Sequence, residues 1–542
     1  MTIGLETMPV GVAGNTYAHL RQAIDRNFAK IESSTTDMYS VGTPGAFGFG
    51  VGVCPAENLP TNLTPLPGCA TVGHDNYGNY VHVLNGSVWV FIPVCYLREN
   101  DARNPTYAKY APNDLDIRGT DVFATKAAAV AAGYRLHRAF VDGGMDQVGV
   151  FVGKYKSSKV AQGSGWIAAP VKNGLPLSDA ADHNPIAGIT ACSSNNHYQF
   201  LDAAKGIDSA NGEFNQSSAY FEASVFIADL VAKLAQAQGQ AATSTAACAW
   251  FDPAGAVNFP KGCNNNALKD TNDATVTYQS DGYSNCGKTG SGALFAKTTH
   301  NGQNCGVADI NGLMWEVLIG MTCIATSKSI SGVAKTNPVR LTVVAHGLTT
   351  GTVAQVESLV GPTALNAKMY TITAVDADTI SLDGVDGSAL PDWVSGGSLI
   401  TGTFYLAKPS TRMRDLTSDQ ITATGHWGAT GVAAMMDAIP CPFPAPSGGI
   451  STSLKIGNGT NRVFASDAVG DAGIPMPTGV SSGGSAQFGQ DYYYMYFRDL
   501  LCAVGCGSWS HAGAAGASAR FLGSDRTISS SFVSGRAACY PD

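Results

Sequence analysis

Residues 331–400 follow a different rule from the chain on either side of them. NPVRLTVVAHGLTTGTVAQVESLV, KMYTITAVDADTISLDGV and SGGSLITGTFYLA alternate apolar and polar residues between Gly and Asp turns. That period belongs to strands with one buried face. The flanking segments lack it. The pattern predicts a small all-β domain over 329–406, inserted between two neighbouring strands or loops of a larger domain. The larger domain is then built from two separated pieces, 161–328 and 407–542.

Outside the insert, periodicity is sparse. NTYAHLRQAIDRNFAKIESS, residues 15–34, reads as a helix that Asn15 can cap, with Tyr17, Leu20, Ile24, Phe28 and Ile31 on one stripe. It packs on its own domain or pairs with copies of itself, which makes 1–70 an attachment or oligomerisation segment. Residues 71–160 read as β-rich. Within 79–100, Val81, Val83, Val88, Val90 and Ile92 fall on a period of two around an Asn85-Gly86 turn, a hairpin signal. A helix is expected over 123–134 and strands around a glycine turn over 135–155. The clearest helix is 221–240, with Phe226, Ile227, Leu230, Val231 and Leu234 facing one way. Residues 250–310 are rich in Asn, Gly, Asp and Cys and read as long loops, which in compact domains are functional or clamped.

A loop-built chain needs small residues and turns, and 63 glycines with only 14% charged residues supply them. The net charge is −8 and no Lys/Arg block can follow a phosphate backbone, which excludes nucleic acid as the expected partner. No run approaches the ~18 apolar residues that span a membrane, so no membrane insertion is expected. MTIGLETMPVGVAGNTY lacks a basic segment followed by an apolar run, so no signal peptide is expected, and folding in a cytoplasm is. The 13 cysteines stand singly without a CxxC pair. They are expected as buried, reduced thiols, with disulfides an option once outside a cell.

The ending, GCGSWSHAGAAGASARFLGSDRTISSSFVSGRAACYPD, has neither a helical stripe nor alternation, yet Trp509, Phe521, Arg520, Arg526, Arg536 and Cys539 are threaded through it. Arginine ties loop carbonyls with several donors. Trp509, Arg520, Arg536 and Cys539 therefore read as a frame. Ser508, Ser510, His511, Phe521, Ser524, Ser529, Ser530 and Ser531 read as free to vary, and are the expected receptor contacts if this stretch is a display surface.

Short motifs add a resemblance. NGLMWEVLIG, residues 311–320, resembles the Asn-Gly-x-x-Trp-Glu signature of the formylglycine-generating-enzyme branch of the C-type lectin fold. GSW at 507–509, GASARFL at 516–522 and SGRAAC at 534–539 resemble the last segment of phage receptor-binding proteins on that fold, the variable proteins of diversity-generating retroelements such as the major tropism determinant. AGYRLHRAFVDGGMDQVGVFVGKY, residues 132–155, resembles the strand that opens such domains in prophage tail proteins, and the insert resembles small β-domains of phage tails. The resemblance implies an α+β architecture: a C-type lectin-like domain with long loops and two helices, interrupted by the insert and preceded by a helix and a β-rich region. It implies a phage tail-fibre or tail-tip receptor-binding protein, made in the host cytoplasm and located in the virion tail. The implied form is a homotrimer joined to other tail or baseplate proteins. The receptor would be a pilus, lipopolysaccharide or outer-membrane protein. A structural baseplate or fibre protein without receptor binding is the alternative.

Chemistry is weighed against this. A copper oxidase of the formylglycine-generating kind needs cysteines after the GSW turn, but Cys502 and Cys506 precede it, so no enzyme is expected. His137, His426 and His511 stand apart from any Ser/Asp arrangement. Asp270 and Asp273 in KDTNDA could offer oxygens to calcium, or form a solvated loop; no other cofactor or metal is expected. Trp315, between Met314 and Val317, reads as a core anchor, and Glu316 as bonding nearby loop backbone. In DYYYMYFRDLL, Tyr492, Tyr494 and Tyr496 fall on one side, with Tyr493, Met495 and Phe497 on the other. One side is core, and some of the tyrosines are candidates for a binding face.

Overall fold

The computed structural model describes residues 40–46, 52–111, 113–184, 196–213, 218–263, 265–416, 429–439, 447–455, 464–465, 476–477 and 491–541. The helix expected over 15–34 and His426 lie outside them. Few helices and many antiparallel strands make the fold mixed. No helix among the described residues is long and apolar enough to cross a membrane.

A six-stranded antiparallel sheet organises the main core. Its spatial order is Leu63–Pro65, Asn79–His82, Val88–Pro93, Gly149–Gly153, Ala537–Cys539, Tyr220–Glu222. The last strand of the chain thus sits inside the sheet, with Ala538 opposite both Val152 and Phe221. The expected hairpin forms, and Gly86 takes the left-handed φ of +71° that its turn requires. The alternation read there does not hold throughout. Pairing stops at His82, so Val83 falls in the turn and is 57% exposed. In Val88–Pro93, Trp89, Val90, Phe91 and Ile92 are all buried, because both faces of the sheet are covered.

Helix Val225–Ala241 packs into this core. Ser224 caps it by accepting from the Ile227 N–H, so it starts later than the expected 221; Tyr220–Glu222 is drawn into the sheet instead. Its expected stripe is buried, and so are Asp229, Lys233, Gln236 and Gln238 on the other sides. Each large apolar side chain buried here contributes about 1.5–3 kcal/mol. The polar ones find partners: His137 Nε2 lies 2.9 Å from Asp229, and Gln236 donates to the Asn113 carbonyl at 2.8 Å.

A second six-stranded sheet runs Ser453–Lys455, Tyr492–Met495, Arg520–Asp525, Leu501–Gly505, Trp315–Leu318, Val533–Ser534. Between 250 and 310 the helical content among the described residues is one short 3-10 turn, Phe295–Thr298. Hydrogen bonds clamp this loop region, such as Trp250 Nε1 donating to the Thr299 carbonyl at 2.9 Å.

The segment read as an insert rises on a long antiparallel ribbon. Met321–Ser329 pairs with Ser395–Ala407 from Met321 opposite Leu406 to Ser329 opposite Ser398. Beyond it, Val339, Leu341, Val356, Tyr370, Ile372 and Ile380 pack into a core of their own. Its base is shared with the rest of the chain. Met436–Ile439 and Ile450–Ser451 add strands to its sheet, and Phe404 and Met369 belong to the main core.

Candidate functional site

The terminal stretch divides into buried frame and accessible loop. Arg536 is 3% exposed and donates to the Gly153 carbonyl at 2.8 Å and the Ala308 carbonyl at 2.9 Å. It also meets Glu316 at 2.7 Å, and Lys156 reaches the same carboxylate at 2.6 Å. Glu316 therefore does not bond loop backbone, as its sequence position suggested. It is the buried anion between two cations that arrive from distant connections between strands. Burial alone would raise its pKa, but Arg536 and Lys156 outweigh that and hold it down to about 2. Glu222 beside it accepts from the Arg536 N–H at 2.7 Å; burial, with the Glu316 charge nearby, pushes its carboxyl well above the ordinary range.

Arg520 donates to the Ala517 and Ala519 carbonyls at 3.0 and 2.8 Å. Arg526, 1% exposed, donates to Thr322 Oγ1 at 2.7 Å. Trp509 packs against the cluster of Cys263, Val276 and Leu313, and its Nε1 donates to the Ser531 carbonyl at 3.3 Å. Cys539 is fully buried in the interior strand Ala537–Cys539.

The second sheet uses its two faces differently. Tyr493, Met495, Phe497 and Leu522 enter the main core. On the opposite face Trp315, Val317 and Val504 pack under Phe200 and Ala203 of helix Asn196–Lys205, while Tyr494 and Phe521 are only half-buried. The strand alternation read in DYYYMYF thus matches the burial. Aromatic contacts then run along this face. Tyr492 and Tyr494 stack at 5.3 Å between centroids, and Tyr494 meets Phe521, its partner across the strands, edge-on at 5.2 Å. Phe521 lies 6.0 Å from Trp315, Trp315 lies 5.1 Å from His511, and His511 lies 6.5 Å from Phe532. Trp315 itself is 2% exposed, the anchor beneath the row.

Ser510, His511, Phe521, Ser524, Ser530 and Ser531 are half-buried and Ser529 is exposed. Ser508 differs from the expectation. It is fully buried, with Oγ 2.6 Å from His511 Nδ1, and belongs to the frame that orients the imidazole. Burial lowers the His511 pKa, which favours the neutral ring. Ser510 Oγ adds to the cluster at 3.2 Å from Ser508 Oγ. Among the described residues no carboxylate bonds this ring.

Local sequence gave no sign of a Cys–His pair, Cys502 Sγ at 3.2 Å from His197 Nδ1. Burial pushes the thiol up and the imidazole down, so the pair stays neutral rather than forming a thiolate–imidazolium. In KDTNDA, Asp270 is 1% exposed and accepts from the Gly262, Asn272 and Asp273 N–H groups. Asp273 pairs with Lys297 at 2.6 Å. These oxygens are spent on the loop's own donors and an ammonium, which accounts for the two aspartates without calcium. Among the described residues no group of three or more His, Cys, Asp or Glu side chains is arranged to hold a metal ion. Comparison of the sequence with protein-family models and with curated proteins finds no match.

Proposed function

We propose that this chain is a phage tail-tip receptor-binding protein with a C-type lectin-like domain, acting by non-covalent binding rather than catalysis. The observation that carries the reading is the split in its last segment. Buried Arg520 and Arg536 tie loop carbonyls and buried Arg526 ties the Thr322 hydroxyl, while Ser510, His511, Phe521 and Ser529–Ser531 lie outside this frame, beside an aromatic row. Tyr on the sheet, with Ser and His on the loops beside it, supplies contact area at low entropic cost, as paratopes do. The lectin-type reading draws support from the closing of the core by the last strand, Ala537–Cys539, and from the two helices beside the sheets. In a virion tail the chain would act as a homotrimer, attached through its N-terminal segment to other tail or baseplate proteins. Several weak sites would then combine into useful avidity toward a pilus, lipopolysaccharide or outer-membrane protein.

The test is adsorption. Virions carrying Ser510→Tyr, His511→Tyr and Ser530→Tyr together should lose adsorption to their host while assembling normally. Unchanged adsorption and host range would overturn the assignment.

A further inference from the structure

A cleft of about 360 Å³ opens where the ribbon of the all-β unit meets the second sheet. Its volume is in the range of small-molecule sites, and it shares no residue with the aromatic row. Its apolar surface comes from Ile400 and Leu500, with the buried Phe497 behind them and Tyr198 as an aromatic wall. Leu500 is 38% exposed and holds a left-handed φ of +52°, a conformation that L side chains adopt at a cost. The turn therefore keeps a leucine at the mouth that local backbone preference would not put there.

The polar groups are balanced and aimed both ways. Asp499 and Asp525 line the cleft, and each uses Oδ1 on backbone: Asp499 accepts from Ala325 at 3.1 Å, Asp525 from Thr527 at 2.8 Å. Among the described residues neither Oδ2 has a hydrogen-bond donor. Arg498 spends Nε on the Gly523 carbonyl at 2.9 Å, which leaves its two terminal nitrogens as donors. Arg526 forms part of the wall, and Ser327 adds a hydroxyl from the ribbon. Two arginines against two aspartates leave no net charge to select an ion. Paired acceptors and forked donors beside an apolar surface suit a ring with hydroxyls on its edge and C–H groups on its face.

We propose that this cleft binds a neutral, hydroxyl-rich saccharide. Asp499 and Asp525 would accept from sugar hydroxyls, Arg498 and Ser327 would donate to them, and Leu500 and Ile400 would meet the ring face. The inference does not rest on the tail-tip reading, because it concerns the isolated protein.

Saturation-transfer NMR on the full chain tests it, with a panel of glucose, galactose, rhamnose and N-acetylglucosamine and their disaccharides. At least one sugar should show transfer with millimolar affinity. Asp499→Asn preserves the bond to Ala325 and should weaken it by roughly tenfold, the effect of a lost charge-assisted hydrogen bond. Ser327→Trp, at an exposed strand position, should abolish it by filling the cleft. The Ser510, His511 and Ser530 substitutions should leave it unchanged, which separates this site from the aromatic face. No transfer from any sugar in the panel, or transfer undiminished in Ser327→Trp, would overturn the proposal.

Discussion

Replacing Glu316 with Gln keeps the shape of the buried centre and removes its one low-pKa carboxylate. Lys156 and Arg536 would be left as buried cations, since the Glu316 side chain is 3% exposed and Lys156 is 0%. Breaking a buried pair from one side costs about 3–5 kcal/mol. The pKa leads to a similar figure. A carboxyl moved from 4.5 to about 2 corresponds to about 3 kcal/mol of stability. Because Gln still accepts one hydrogen bond, the lower end applies, roughly 100-fold in an opening equilibrium. Hydrogen–deuterium exchange reads this locally, which matters in a chain with more than one core. Peptides covering 315–318 and 533–539 should exchange roughly 100-fold faster in Glu316→Gln, while 353–360, in the separate core of the all-β unit, should not change. The effect has a defined pH window. Glu316 is lower in pKa when folded than when unfolded, so the unfolded chain binds more protons between the two values. The stabilisation is complete above about pH 4.5 and is lost as pH falls toward 2. The gap between wild type and variant should close over that window. Equal exchange at pH 7, or a gap that widens on acidification, would refute the reasoning.

Two further outcomes test the packing. Residues 321–407 made alone should give a β-type circular dichroism spectrum and a cooperative melt, because Val339, Leu341, Val356 and Tyr370 need no partner from outside; a random-coil spectrum would show that the shared base is indispensable. Gly262→Ala would place a Cβ 1.4 Å from the Asn311 carbonyl oxygen, a backbone atom that cannot step aside. A loss at or above the ~1–3 kcal/mol of ordinary overpacking is expected, read as a lower melting temperature, and an unchanged melt would contradict the close approach.

Features encoded within a few neighbouring residues were readable from sequence. The period of two over 331–400 and the facing of Tyr492, Tyr494 and Tyr496 against Tyr493, Met495 and Phe497 follow from where successive side chains point along an extended backbone, and the Asn85-Gly86 turn from glycine's freedom at positive φ. The frame role of Arg520 and Arg536 followed from what a guanidinium does among loop carbonyls. The tertiary structure alone decided the partners. Glu316 meets Lys156 and Arg536 across 160 and 220 residues, and Cys502 meets His197 across 305. It also buried Ser508, which its small, polar neighbours had made look like surface, and shared the base of the all-β unit with strands from 436–451. The physical reason is one of range: local pattern reports which way a side chain faces, whereas the group it meets depends on how distant segments close around a common core.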